Sequence, residues 1–317
     1  MSLLPITVAC DDYDHLLPLR DGRVRAEGIE LRLLTVESGV RHERMARHGE
    51  YDASEYSMGS YMVARSRGAD DLVAIPFFLR RLFPHRFVFV RARSGIASPA
   101  DLRGGRIGLL GYQNSLAIVL KGVLMRQYGV PVADVTWVTP RDERVRGAPP
   151  PGVRVERADL GRSLEDLLVA GEIDALVQPD LPEAWLRGEG TLAPLFADPE
   201  REERAYFRET RMFPIMHPLV IKKGVLERDP WVATSLYDAF ATSKRLHDEH
   251  VMQPHRTSLV WSRREEERRF FGRDPFAQGL RENRHDVASL IELAAEQGML
   301  HAPLGVDDLF TESTRAT

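Results

Sequence analysis

A histidine inside an apolar run, a strip of arginines and acids at the ends of β-branched segments are the residues here that could move protons or hold an acid. His217 sits in FPIMHPLVI (213–221), where an imidazole must find a partner or stay neutral. It is a candidate proton donor, with a satisfied core histidine as the alternative. The strip Arg80-Arg81-Leu82-Phe83-Pro84-His85-Arg86 puts three fixed cations and an imidazole among aromatic rings. That composition suits a carboxylate-bearing aromatic ligand, held by bidentate hydrogen bonds and stacking. Surface arginines beside a buried phenylalanine are the rival. Asp12 and Glu55 are candidate general bases or hydroxyl acceptors, with Tyr13 and Ser57 beside them. Tyr112, Gln113, Asn114 and Ser115 precede a helical pattern and could present a helix N-terminus to an anion, or simply cap it. Asp12, Glu55, His85 and His217 together could also hold one divalent ion. The run HDEHVMQPH (247–255) lacks the i, i+4 histidine pair of a metalloprotease helix.

Positioning these residues requires strands that end where they begin. Short β-branched runs alternate with longer helical patterns, which predicts an α/β protein with mainly parallel strands. Strands are expected at 6–9, 29–34, 72–75, 87–90, 107–110, 135–138, 175–178 and 215–221, and helices near 38–48, 58–67, 115–128, 163–170 and 230–250. Ser98-Pro99-Ala100-Asp101 and Ser163-Leu164-Glu165-Asp166 carry N-cap signals. The stretch RDERVRGAPPPG (141–152) forbids both helix and central strand and is expected as a surface loop. SRREEERR (262–269) reads as a solvated helix face. In open α/β sheets ligands collect beyond the carboxyl ends of strands. Most of the candidate residues fall just after predicted strands, which points to one cleft.

Composition narrows the classes. The chain has 317 residues, enough for about two domains. Its 43 basic and 47 acidic side chains nearly balance, against a general nucleic-acid binder. The single cysteine, Cys10, excludes an intramolecular disulfide framework and a cysteine zinc site. No run approaches the roughly 18 apolar residues of a spanning helix, and the N-terminus lacks a basic signal-peptide region. A cytoplasmic location is expected, with no membrane or nucleic-acid partner, and a homo-oligomer is compatible with the size. Glycine-rich phosphate loops and G-x-S-x-G elbows are absent.

Longer phrases carry a resemblance. SPADLRGGRIGL (98–109) and LVAGEIDALV (168–177) resemble second-domain signatures of type II periplasmic-binding-protein folds, including the family related to thiamine-pyrimidine synthesis proteins. More narrowly, ACDDYD (9–14), YDASEYSMGSY (51–61), AIPFFLRRLFPHRFVFV (74–90), GYQNS (111–115), YFRETRMFPIMHPLVI (206–221) and DPWVATSLYDAF (229–240) are similar to the 4,5-dihydroxyphthalate decarboxylase-like family. The likeness runs nearly end to end, with departures at Asp11, Pro84, Arg86 and Gln178 to Asp180.

The resemblance implies an α/β, two-lobed type II periplasmic-binding-protein-like fold with a ligand cleft between the lobes. One discontinuous lobe would comprise 1–90 and 215–317 and the other 91–214, with hinge closure about two crossing segments. It implies a carboxy-lyase that converts a hydroxylated aromatic carboxylate such as 4,5-dihydroxyphthalate to protocatechuate and CO2, with no organic cofactor. On that mechanism Arg81, helped by Arg80 or Arg86, holds a carboxylate. Asp12 and Glu55 face the hydroxyls, and His217 or His85 delivers the proton. A solute-binding protein for a small organic acid and a related lyase or dehydratase are the alternatives.

Overall fold

Runs that alternate β-branched and polar residues become strands because one face of each can be buried against helices. The computed structural model describes residues 2–158, 161–253 and 258–317; His255 of the HDEHVMQPH run lies outside them. The strands are β1 (Leu4–Cys10), β2 (Ile29–Thr35), β3 (Ala53–Glu55), β4 (Leu72–Arg81), β5 (Val88–Arg91), β6 (Arg106–Leu109), β7 (Thr136–Thr139), β8 (Arg154–Arg157), β9 (Ala175–Val177), β10 (Leu192–Pro194) and β11 (Ile215–Lys222). The helices are α1 (Leu17–Arg20), α2 (Ser38–His48), α3 (Met58–Ser66), α4 (Ser115–Tyr128), α5 (Leu164–Ala170), α6 (Glu183–Leu186), α7 (Pro199–Thr210), α8 (Lys223–Arg228), α9 (Val232–Val251), α10 (Ser258–Phe271) and α11 (Leu280–Glu296).

Two sheets form, in the orders β2-β1-β3-β11-β4 and β10-β5-β9-β6-β7-β8. The chain leaves the first sheet after Arg81, enters the second at Val88, and returns at Ile215. Both sheets are mixed. β11 runs antiparallel to β3 and β4, and β5 antiparallel to β9 and β10. The expectation of mainly parallel strands therefore holds for the β2–β1–β3 and β9–β6–β7–β8 ladders, whereas β5, which enters the second sheet, and β11, which returns to the first, run in reverse. β3, β8 and β10 escaped prediction because each is only three or four residues long, and RVER offers no apolar alternation. The two capping boxes form as expected: Ser163 Oγ accepts from Asp166 N at 3.0 Å, and Ser98 N donates to Asp101 Oδ2 at 2.9 Å.

Helix α4 is largely apolar over Ser115–Leu124 because that stretch is buried on all sides. Leu116 to Leu120, Val123 and Leu124 are buried in a cluster that also contains residues of the first sheet and of α11. Ser115 Oγ accepts from Gly59 N at 2.9 Å and donates to the Met216 carbonyl at 2.7 Å. A Cβ at Gly59 would stand 2.6 Å from the Gln113 carbonyl oxygen, so only glycine allows this approach. Gln297 Nε2 donates to Ile118 O at 2.8 Å across the same junction. These contacts interlock the lobes, and a rigid-body hinge motion would have to break them.

Candidate functional site

The carboxyl ends of β1, β3 and β4 and the amino end of the antiparallel β11 meet at one edge of the first sheet. There they face Leu110 and Val177 from the second sheet across a cleft of about 790 Å³. The N-terminal turns of α2 and α4 also line it, through Glu37 to Val40 and Asn114 to Leu116.

Glu55 is the hub. It ends β3, is fully buried, and is satisfied at both oxygens. Oε1 accepts from Tyr13 Oη at 2.7 Å and lies 2.5 Å from His217 Nδ1. Oε2 accepts from the Asp11 amide at 2.9 Å and pairs with Arg41 at 2.8 Å. Burial alone would raise its pKa. The hydrogen bond from His217, with Arg41 and Tyr13, outweighs this and holds the carboxyl below the ordinary carboxylate range. His217 is pulled below the ordinary imidazole range by burial, against the opposing pull of Glu55, so its neutral ring donates from Nδ1. That leaves Nε2 to meet a ligand. The β4 and β11 registers shift around His217 and Pro218, where proline has no N–H to give the ladder. This irregularity sets the imidazole on the cleft wall.

Period-two alternation along β4 separates neighbours that the sequence grouped together. Arg80 lines the cleft opposite His217 in register. Arg81 points the other way: its buried guanidinium bonds Asp286 at 2.9 Å, the Phe213 carbonyl at 3.0 Å and Asn283. The expected carboxylate grip by Arg81 is therefore corrected. Arg86 is also placed elsewhere, paired with Glu203. His85 is buried among Phe83, Phe196 and Tyr206, with neither ring nitrogen bonded. Burial, then Arg86, hold its pKa down at about 4. Asp12 is exposed and sits 3.3 Å from Arg20, outside the cleft.

Ser57, Asn114 and Ser115 line the cleft, but each is also engaged: Ser57 and Asn114 cap α3 and α4, and Ser115 holds the interlock. Tyr13 touches the site through Glu55. Tyr112 and Gln113 face a separate small cavity, Gln113 bonding the Val145 carbonyl. Among the described residues no three His, Cys, Asp or Glu side chains converge as metal ligands. Asp12 and His85 stand apart from the Glu55–His217 pair, so the fourfold ion site does not assemble.

Sequence reasoning missed Arg41, His42, Asp11, Arg141, Arg144 and Asp180. His42 packs edge-on against His217 with centroids 4.8 Å apart, and its Nε2 is unpartnered. Arg41 and His42 lie on α2, whose polar sequence resembles a surface helix, and only their packing shows otherwise. The 141–152 stretch is irregular as expected, yet Arg141 and Arg144 line the cleft, so it is more than surface. Its proline run had suggested only a breaker.

Comparison with known proteins places this geometry. The chain is 32% identical over 98% of its length, and 97% of the relative's, to 4,5-dihydroxyphthalate decarboxylase from Comamonas testosteroni. The chain belongs to the 4,5-dihydroxyphthalate decarboxylase family. A second family relative, from Pseudomonas putida, is 32% identical over 66% of this chain and 83% of its own. Residues 23–145 match the NMT1/THI5 like family. Among solved structures, the alkanesulfonate-binding protein SsuA from Xanthomonas axonopodis pv. citri, bound to MOPS, superimposes with a TM-score of 0.59 at 14% identity, covering 95% of each chain. This decarboxylase-family chain thus has the two-lobed type II periplasmic-binding-protein-like fold. Among the described residues no helix is long and apolar enough to cross a membrane.

Proposed function

We propose that the protein is a carboxy-lyase that removes CO2 from a hydroxylated aromatic dicarboxylate, 4,5-dihydroxyphthalate, leaving protocatechuate. What carries this reading is the relation to a decarboxylase over 98% of the chain. The chemistry is supported by a buried carboxylate–imidazole pair at the wall of a cleft that contains arginines.

A hydroxyl para to the departing carboxylate supplies the electron sink. As a base withdraws the hydroxyl proton, electron density reaches the ring carbon bearing the carboxylate, and that carbon accepts a proton. The C–C bond to CO2 then breaks, and its electron pair restores the aromatic ring. No organic cofactor enters this sequence. His217 delivers the proton from Nε2. To do so it must first become an imidazolium, which the anionic substrate and Glu55 both favour. Glu55 has no free lone pair directed at the cleft, so it acts by orienting His217 and stabilising its charge. Of the wall carboxylates, Glu37 caps α2 and Glu43 pairs with Arg47, which leaves Asp11 and Asp180 for the hydroxyls, in place of Asp12 and Glu55. Arg80, beside His217, orients the departing carboxylate in place of Arg81. A positioned acid contributes about 10² to 10⁴ in rate; orientation in the cleft supplies further acceleration. The same reading places the chain in the cytoplasm with a small acid as its partner.

Incubation with 4,5-dihydroxyphthalate tests it. Protocatechuate and CO2 in equal amounts are expected. A ligand bound tightly but recovered unchanged would mean a binding protein, and neither outcome would mean a different substrate.

A further inference from the structure

Three arginine side chains among the described residues combine deep burial with a place near the cleft or its flanks, and they differ in what they bond. Arg41 pairs with the Glu55 carboxylate and donates to the Val36 carbonyl, and Arg81 bonds Asp286, Asn283 and Phe213 O, each leaving one guanidinium nitrogen without a hydrogen bond. Arg144 makes no hydrogen bond. Its side chain is only 10% exposed, and its closest carboxylate is Glu43, 3.9 Å from Nε. Nε itself is buried without a partner. A largely buried guanidinium whose nearest counter-charge is 3.9 Å away is under-compensated, so an anion in the cleft would complete it.

The backbone around Arg144 is held on both sides. Glu143 accepts the Tyr112 and Gln113 amides at 2.5 and 3.2 Å, and Val145 O accepts from Gln113 Nε2 at 2.9 Å. The loop is therefore fastened to the start of α4 and presents Arg144 to the cleft. The cleft's cations come from two places: Arg80 stands opposite His217 in the β4–β11 register, whereas Arg141 and Arg144 reach the wall from the 141–152 loop.

We propose that Arg144 anchors the carboxylate that the substrate keeps. His217 must stand over the carbon that loses CO2, and Arg80 is the cleft arginine beside it. The adjacent carboxylate of an aromatic ortho-diacid then falls to the other cationic position. This rests on the decarboxylase reading for which carboxylate stays, but the binding itself does not need turnover.

Phthalate, which lacks the hydroxyl electron sink, is the unreactive probe, titrated calorimetrically beside protocatechuate. Wild type should bind both. Arg144→Gln should weaken both by about tenfold to a hundredfold, with Arg144→Lys between because it loses the bidentate fork. Arg144 also lines a second cavity of about 910 Å³, where Lys222 is a wall residue, so Lys222→Gln should leave binding unchanged. Without ligand, Arg144→Gln should melt no lower than wild type, and phthalate should raise its melting temperature less. Unchanged phthalate binding in Arg144→Gln, no binding by wild type, or an equal loss in Lys222→Gln overturns the proposal. So does a loss for phthalate but not protocatechuate, which would give Arg144 the departing group. If the binding pattern holds while 4,5-dihydroxyphthalate is not turned over, the anchor stands and the decarboxylase reading fails.

Discussion

Two buried carboxylates organise this molecule, and they differ in what completes them. Asp286 accepts from Arg81 and Arg273, each at 2.9 Å, and from the Phe213 amide at 3.0 Å. Glu55 pairs with Arg41 but gives its remaining lone pairs to a phenol, an amide and an imidazole. Every partner of Asp286 keeps its proton at any ordinary pH, so that hub can only hold structure together. One partner of Glu55 is an imidazole, a group able to gain and lose a proton, and it reaches a cleft, so the same kind of buried pair becomes a means of moving a proton. Burial and an arginine partner alone therefore do not mark a site. A titratable member with a free face does.

The sharpest way to break this contrast is at His217. His217→Asn should lower kcat by about 10² to 10⁴ in a protocatechuate-release assay while the fold survives; near-normal turnover would remove the proton-donor role. Next in size is Arg81→Met, which strips a cation from the structural hub. It should cost about 3–5 kcal/mol in denaturant unfolding, with kcat per folded molecule retained. A collapse of kcat at unchanged stability would put Arg81 back in the chemistry.

His85 sharpens the comparison through pH. Its folded pKa, about 4, lies below the ordinary 6.5, so the unfolded chain binds the proton first. Its neutral form therefore contributes fully above about pH 6.5, and stability is lost as pH falls toward 4. His85→Phe, filling the same aromatic pocket, should stabilise by about 1–3 kcal/mol near pH 5, where a buried group without hydrogen bonds is replaced. The gain at pH 8 should be smaller, and kcat unaffected. A fall in activity would contradict its placement away from the cleft. Smallest of all, Asp12→Asn should change melting and turnover negligibly, within about 0.5 kcal/mol, because the residue is exposed.

Much of this was legible from local pattern. α4 was expected at 115–128 and spans Ser115–Tyr128, because its cap and apolar run are contiguous in sequence. Glu55 and His217 were singled out as chemically capable residues at a strand end and in an apolar run. What local pattern could not supply was direction. Arg80 and Arg81 are adjacent, of one type, and in one motif, yet strand alternation turns one to the cleft and seals the other against α11.

Residue types, their order and their periodicity thus determined the elements, the family likeness and the stock of groups able to hold an acid or carry a proton. Tertiary structure alone decided which of those groups share a space. Hydrogen bonds from Asp11, Tyr13 and His217 and the Arg41 ion pair meet on Glu55 from three separate segments, and the 141–152 loop brings in cations from far along the chain. Backbone periodicity is a short-range property written in neighbouring residues, whereas such convergence depends on the packing of strands and helices that the chain visits at widely separated positions.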